Sequence, residues 1–223
     1  MTDVTQFEGI PLLSGLNRDE MQQVSDAARP LMLERGQVLF AQNDDSTELF
    51  VVGSGRIAIT RGFIDGRESV LALMEAGDLF GEMGMFGDDE ASAGRSADAR
   101  ALERCEVTAI PYSVLRDVWD ARPELLWTVV SLLAERLRVT DEALADSMFL
   151  DVAGRTAKRL LELSGGEEIF TLPVTQEELA GMVGASRERV NKALASFGRL
   201  GWVEQTDRRY RILDRDALER RAS

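Results

Sequence analysis

A chain of 223 residues is long enough for one large domain or two small ones, and a 44% share of hydrophobic residues supplies a core without making a membrane protein. No window holds the apolar run needed to span a bilayer, and the opening MTDVTQFEGIPLLSGL lacks a basic stretch before its apolar residues, so neither an anchor nor a signal peptide is expected and the cytoplasm is. With no histidine and one cysteine, Cys105, the composition argues against a histidine general base, a His-ligated zinc, a histidine-held haem, an internal disulfide and an iron–sulfur cluster, so no metal and no enzyme are expected. A small metal-dependent β-barrel enzyme loses its usual ligands on the same ground.

The net charge of −13 is unevenly spread. Residues 155–223 carry 13 Lys+Arg against 11 Asp+Glu, a net of +2, which leaves −15 on residues 1–154. The basic residues of the second part cluster at Arg187, Arg189, Lys192, Arg199, Arg208, Arg209 and Arg211. Local field governs phosphate contact more than the whole-chain sum.

In chain order, residues 5–30 read as a short helical segment, with Asn17 and Glu20 spaced to cap a helix running to about Ala28 and Pro30 following it. Residues 31–112 change character. Short runs at Gln37–Ala41, Leu49–Val52, Arg56–Thr60, Ser69–Leu73, Ala99–Leu102 and Glu106–Ile110 are punctuated by glycines, which argues for a closed or sandwiched all-β domain. Cys105 sits in one of the alternating runs and reads as a buried small hydrophobe. From Pro123 to Met148 the pattern is helical. Leu126, Val130, Leu133, Leu137, Thr140, Leu144 and Ser147 follow a 4-3 spacing that argues for two such helices pairing. One amphipathic helix packing on its own domain is the other reading, and three heptads favour the pair. Thr140 is a polar residue in that seam. Asp151 caps a further helix that Gly165-Gly166 ends.

Thr175 to Leu200, TQEELAGMVGASRERVNKALASFGRL, reads as two amphipathic helices around a tight turn. Thr175 and Glu178 have capping-box spacing, Gly184 supplies a left-handed terminator, and Ser186 caps a second helix with Val190, Ala193, Leu194 and Phe197 on its apolar side. Its first turns present Arg187, Glu188, Arg189, Asn191 and Lys192. These are base-reading side chains: Arg or Lys for guanine, Glu for cytosine, Asn for adenine. An ordinary helical hairpin with a solvated charged face is the competing reading; the caps, the turn glycine and the charge placement together favour helix-turn-helix. Thr175, Gln176 and Ser186, at the helix starts, complete the candidate DNA-binding set. A hairpin follows, from Trp202-Val203-Glu204 to Tyr210-Arg211-Ile212-Leu213, with a basic tip at Asp207-Arg208-Arg209.

One β-domain segment is chemically pointed. Gly81 and Gly84 allow backbone N–H groups to approach an anion, Arg95 offers a planar fork for two phosphate oxygens, Ser96 adds a hydroxyl, and Glu82 accepts from a ribose hydroxyl while pairing with an arginine. Alone, such a set is weak, and a β-turn with a surface ion pair would give it too.

The order of parts carries a resemblance. Phe80-Gly81-Glu82 and Arg95-Ser96-Ala97 precede the long helix, Phe149-Leu150-Asp151-Val152-Ala153-Gly154-Arg155 and then the helix-turn-helix. The whole chain resembles the cyclic-AMP receptor protein (Crp/Fnr) family of bacterial transcription regulators, particularly its actinobacterial members. The resemblance implies an α+β chain: a cyclic-nucleotide-binding β-roll at 1–122, a dimerisation helix at 123–150 and a winged helix-turn-helix at 151–223. It implies a ligand-binding set of Gly81 and Glu82 for the ribose, Arg95 and Ser96 for the cyclic phosphate, and Thr140 and Asp141 for the base. It assigns base reading to Arg187, Glu188 and Lys192. The implied partners are double-stranded DNA with a palindromic operator resembling TGTGA half-sites, a second copy of the chain, and RNA polymerase, with no membrane.

The chain departs from that pattern at four places. The segment between Glu82 and Arg95 is several residues longer; Gln42-Asn43-Asp44-Asp45 lacks a usual glycine; Asp141 replaces a serine or asparagine; Lys192 and Arg189 stand where arginine and threonine are common. A carboxylate at 141 accepts from the adenine amino group or from the guanine edge. The intact Gly81, Glu82, Arg95 and Ser96 set makes cyclic AMP the expected ligand by resemblance, with cyclic GMP, another nucleotide or a ligand-free regulator as alternatives.

Overall fold

A computed structural model describes residues 7, 9–62, 68–86 and 94–223. The chain divides into two compact units, one holding residues to Arg61 with Leu71–Leu137, the other Gly62–Val70 with Arg138–Ser223.

In the first unit Asn17 caps helix α1 (Arg18–Ala27). Its side chain accepts from the N–H groups of Asp19 and Glu20 at 2.9 and 3.0 Å, and Glu20 accepts from the Asn17 N–H at 2.7 Å. Strand β1 (Arg29–Leu33) begins immediately after, where the sequence offered only Pro30 as a break. β1 is an edge strand, so the missing N–H of Pro30 can be accommodated there. The strands that follow are β2 (Val38–Phe40), β3 (Glu48–Ser54), β4 (Ile57–Gly62), β5 (Glu68–Met74), β6 (Leu79–Phe80), β7 (Asp98–Ala101) and β8 (Cys105–Pro111). Two four-stranded sheets result, ordered β1-β8-β3-β6 and β2-β7-β4-β5. β8 runs straight into helix α2 (Tyr112–Ala121), which sequence reasoning missed. A 3-10 turn over Pro123–Leu125 then opens helix α3 (Leu126–Phe149).

β3 explains why its sequence reads as a continuous apolar run. Leu49 and Val51 pack with Val24, Leu115 and Trp119 under α1 and α2, while Phe50 and Val52 pack with Phe80, Ala99 and Val107 between the sheets. A strand covered on both faces has no polar side to alternate with. Cys105 is buried in the second cluster, and burial pushes its thiol pKa up, as fits an inert core residue.

α3 presents the opposite situation. Val129 is its one fully buried residue, whereas Leu126, Val130, Leu133, Leu137, Leu144 and Met148 are exposed large hydrophobics.

The second unit contains helix α4 (Val152–Leu163), strand β9 (Ile169–Thr171), helices α5 (Gln176–Val183) and α6 (Arg187–Arg199), strands β10 (Val203–Thr206) and β11 (Arg209–Ile212), and helix α7 (Arg215–Arg221). The strands form an antiparallel sheet ordered β10-β11-β9, so the expected hairpin acquires a third strand. Asp151 caps α4, accepting from the Gly154 N–H at 2.8 Å and from the Arg221 guanidinium of α7. Arg155 donates to the carbonyls of Val183 at 2.8 Å and Leu150 at 2.6 Å, tying the end of α5 to the start of α4.

The cap yields a pH prediction. The Gly154 N–H, and after it Arg221, hold the Asp151 carboxyl below its ordinary pKa. A lowered folded-state pKa means the contribution is present above the unfolded-state value of about 3.9 and is lost as pH falls through the folded-state value. Asp151→Ala is expected to destabilise the chain by about 1 kcal/mol at neutral pH. In thermal unfolding that difference should shrink below about pH 4, while Asp151→Asn keeps most of the cap.

Candidate ligand pocket and nucleic-acid interface

The candidate ligand site is built around a buried cation. Arg95 is 6% exposed. Its backbone is pinned to the turn after β2: the Arg95 N–H donates to Asp44 O at 2.9 Å and the Asn43 N–H donates to Arg95 O at 2.9 Å. Asn43 takes φ +70° in that turn, supplying the left-handed residue that the missing glycine would have given. The Asp44 side chain accepts from the Ala41 N–H at 2.8 Å and Asp98 accepts from the Gln42 N–H at 2.6 Å, so the turn is held from both ends.

The guanidinium then lies 4.2 Å from the ring centre of Phe40 and 5.2 Å from that of Phe50. Phe40, Phe50 and Phe80 form a cluster of rings inclined by 26–35° with centres 5.5–6.2 Å apart. Arg95 Nη1 donates to Gly81 O at 3.0 Å and to the Tyr112 hydroxyl at 3.3 Å. Tyr112 in turn donates to Gly81 O, which leaves Ser46 as the donor in the 2.7 Å contact between their hydroxyls. Burial pushes the Tyr112 pKa up, so the hydroxyl stays protonated and available as that donor. Burial likewise lowers the pKa of Arg95, against the nearby Tyr112, Glu48 and Asp44. Arg95 Nε has no hydrogen-bond partner among the described residues.

Gly81 follows β6 with φ +80°, and a Cβ there would meet Arg95 Nη1 at 2.8 Å and the Phe50 ring at 3.2 Å. Glycine is required for both reasons. Next to it Glu82 is fully buried, pairs through Oε1 with Arg136 of α3, and leaves Oε2 without a partner among the described residues. Arg136 also donates to Leu79 O. A 3-10 turn over Met83–Phe86 follows. The rest of the long connection, residues 87–93, lies outside the described residues. Ser96 is exposed, with Met83 Sδ 3.6 Å from its hydroxyl.

The set therefore converges at Gly81, Glu82 and Arg95, with Ser96 adjacent. An unpartnered guanidinium N–H and an unpartnered carboxylate oxygen suit a ligand that brings an anion to the first and a hydroxyl to the second. Thr140 and Asp141 stand on α3 beyond Leu137, both exposed. Sequence reasoning missed Tyr112, Arg136 and the Phe40–Phe50 shelf; only the general expectation that Glu82 pairs with an arginine pointed toward Arg136.

In the second unit the capping box at Thr175 is formed in full, and Gly184 ends α5 at φ +65°. Ser186 accepts from the Arg189 N–H at 3.4 Å to start α6. Val190, Ala193, Leu194 and Phe197 are buried, leaving Arg187, Glu188, Arg189 and Lys192 exposed. Asn191 differs from them: it is half-buried and its Oδ1 is enclosed. Thr175 and Gln176 are half-buried and, with Arg187 and Arg208, line a groove between the helix-turn-helix and the wing tip. Asp207 turns that tip at φ +55°. Among the described residues no helix is long and apolar enough to cross a membrane, and no acidic or cysteine cluster is fit for a metal.

A β-rich unit with a buried guanidinium at Gly81 and a capped helix-turn-helix carrying a wing have the parts of a DNA-binding regulator with a separate candidate ligand site. Comparison with known proteins agrees. Residues 30–122 match the cyclic nucleotide-binding domain and residues 154–221 the Crp-like helix-turn-helix domain. The chain is 35% identical over 218 residues, 95% of its length and 96% of the relative's, to the CRP-like cAMP-activated global transcriptional regulator of Mycobacterium tuberculosis. Among solved structures, the catabolite activator protein of Thermus thermophilus is 29% identical, covering 95% of this chain and 98% of that one, at a TM-score of 0.53. The c-di-GMP-responsive regulator CLP of Xanthomonas campestris is 25% identical, covering 88% and 99%, at a TM-score of 0.76. The chain belongs to the Crp/Fnr family of bacterial transcription regulators.

The close approach at Gly81 gives a test of the pocket. Gly81→Ala is expected to lose about 1–2 kcal/mol of stability from the left-handed backbone alone. It should also displace Arg95, seen in titration calorimetry as weakened binding of a cyclic nucleotide. Unchanged binding would mean Arg95 does not face the ligand.

Proposed function

We propose that this chain is a homodimeric, sequence-specific transcription regulator whose DNA binding is controlled by a cyclic nucleotide, cyclic AMP first, held in the β-rich unit. The observation that carries this reading is the buried Arg95 guanidinium, whose Nε has no hydrogen-bond partner among the described residues, together with the buried Glu82, whose Oε2 likewise has none among them. A cyclic phosphate would take the first and a ribose hydroxyl the second, with Ser96 adding a donor. The M. tuberculosis relative is named as cAMP-activated, which supports the ligand class.

The exposed apolar stripe on α3 supports a dimer. Leu126, Val130, Leu133, Leu137 and Leu144 keep heptad spacing on a surface otherwise in water, and a second α3 would cover it. Thr140 lies in that seam, so a base reaching it would meet both helices, Asp141 supplying an acceptor. Ligand binding then favours one arrangement of the paired helices, to the extent of its preference for that state. In a dimer two copies of α6 would read two half-sites about 34 Å apart. Arg187, Glu188, Arg189 and Lys192 are the base-reading set, with Thr175, Gln176 and Ser186 at the helix starts meeting phosphates.

Calorimetry of the purified protein with cyclic AMP, cyclic GMP and c-di-GMP is the direct test. Binding of cyclic AMP that also tightens operator DNA is expected, and Arg95→Ala should abolish both while leaving the dimer intact. DNA affinity indifferent to every nucleotide would leave a ligand-free regulator. Arg187→Ala is expected to cost about 1–3 kcal/mol on the cognate site and to relax preference at one base pair, measured by competition over single-base variants. A uniform loss would make Arg187 a phosphate anchor.

A further inference from the structure

Tyr112 had no role in the sequence pattern, and the geometry around its hydroxyl supplies one. Its backbone is fixed first. Tyr112 opens α2 directly after β8, its N–H donates to Thr47 O at 2.9 Å, and the neighbouring Pro111 pairs with Glu48 across the β3–β8 ladder. The ring is 4% exposed and belongs to the core cluster that contains Leu49, Val51, Leu79 and Met85. Met85 lies in the turn that follows Glu82. A close-packed interior holds such a ring in one place, and its hydroxyl with it.

That hydroxyl is saturated. A phenol has one proton to donate and two lone pairs to offer. The proton goes to Gly81 O, and the lone pairs take the Ser46 hydroxyl at 2.7 Å and Arg95 Nη1 at 3.3 Å. No capacity remains for a ligand, so Tyr112 can act on a bound anion only through the groups it holds. Arg95 Nη1 also donates to Gly81 O at 3.0 Å, which closes a triangle of phenol, carbonyl and guanidinium. A guanidinium is planar, so two bonds at one nitrogen, with the Phe40 ring centre 4.2 Å from Cζ, set the plane of the whole fork. The Gly81 carbonyl belongs to the planar peptide that leads into Glu82, so the triangle orients that peptide as well. The phenol is uncharged. A carboxylate in its place would hold the fork equally well but neutralise the charge that an anion needs.

We propose that Tyr112 is a positioning residue of the nucleotide site: a neutral clamp that sets the Arg95 fork against the Gly81–Glu82 peptide without touching the nucleotide. This rests on the ligand reading above.

The test is titration calorimetry of the full chain with cyclic AMP and with its two phosphorothioate diastereomers, in which one or the other exocyclic phosphate oxygen is replaced by sulfur. The chains compared are wild type, Tyr112→Phe, Arg95→Lys and the double variant. Tyr112→Phe keeps the ring and is expected to weaken cyclic AMP binding about tenfold, the scale of one hydrogen bond to a charged group. It should also move the affinity ratio of the two phosphorothioates towards one, because a fork free to tilt discriminates less between the two oxygens. Arg95→Lys already lacks the fork, so adding Tyr112→Phe to it should weaken binding by less than about twofold more. Undiminished cyclic AMP binding by Tyr112→Phe, additive losses in the double variant, or an unchanged phosphorothioate ratio would each overturn the clamp; the last two would make Tyr112 a packing residue only. Should Tyr112→Phe fail to fold, Ser46→Ala, which removes a donor to the phenol from outside the core, is judged by the same ratio: a shift supports the clamp and an unchanged ratio overturns it. A wild-type chain that binds no cyclic nucleotide would overturn the ligand reading itself, and the clamp with it.

Discussion

A guanidinium taken out of water with no ion pair among the described residues is the constraint around which the first unit is organised. Moving such a charge inside is expensive unless dipoles and polarisable faces replace the lost hydration. Here the replacements come from four separate stretches of chain: the Gly81 carbonyl after β6, the Tyr112 hydroxyl where β8 turns into α2, the rings of Phe40 and Phe50, and the turn at Asn43 that fixes the backbone. Each is partial, and Nε has no hydrogen-bond partner among the described residues. That N–H is the donor that the proposed cyclic phosphate would take.

Glu82 extends that logic to the long helix. Its two oxygens are divided, one bound to Arg136 and Arg136 bound again to the Leu79 carbonyl, the other without a partner among the described residues. A group that engages the open oxygen therefore touches a carboxylate already anchored to α3, so pocket chemistry and helix position share one ion pair. A buried pair of this kind adds little net stability, and its value lies in geometry.

Much of this was legible in the sequence wherever a local rule sufficed. The caps at Asn17, Asp151, Thr175 and Ser186 and the terminator at Gly184 each depend on residues a few positions apart, and each appears where the spacing placed it. The cassette residues were named because glycine and arginine carry a specific chemistry. What escaped was decided at a distance. Pro30 looked like a break because nothing local says that β1 lies at a sheet edge. Tyr112 and Arg136 are 31 and 54 positions from the residues they hold. Asn191 carries a base-reading type at a base-reading spacing, and its being half-buried with Oδ1 enclosed is set by packing that no local rule gives.

The unbroken run of α3 has an evolutionary consequence. Most connectors tolerate insertions and deletions cheaply, because loop entropy grows slowly with length. A helix whose exposed apolar residues keep heptad spacing does not. One residue inserted between Leu137 and Leu144 would swing the downstream part of the stripe about 100° around the axis from the upstream part, whereas seven would restore it to within about 20°. The 24 residues of Leu126–Phe149 are thus a phase-locked length, and descendants of this chain are expected to vary there by substitution and not by indel.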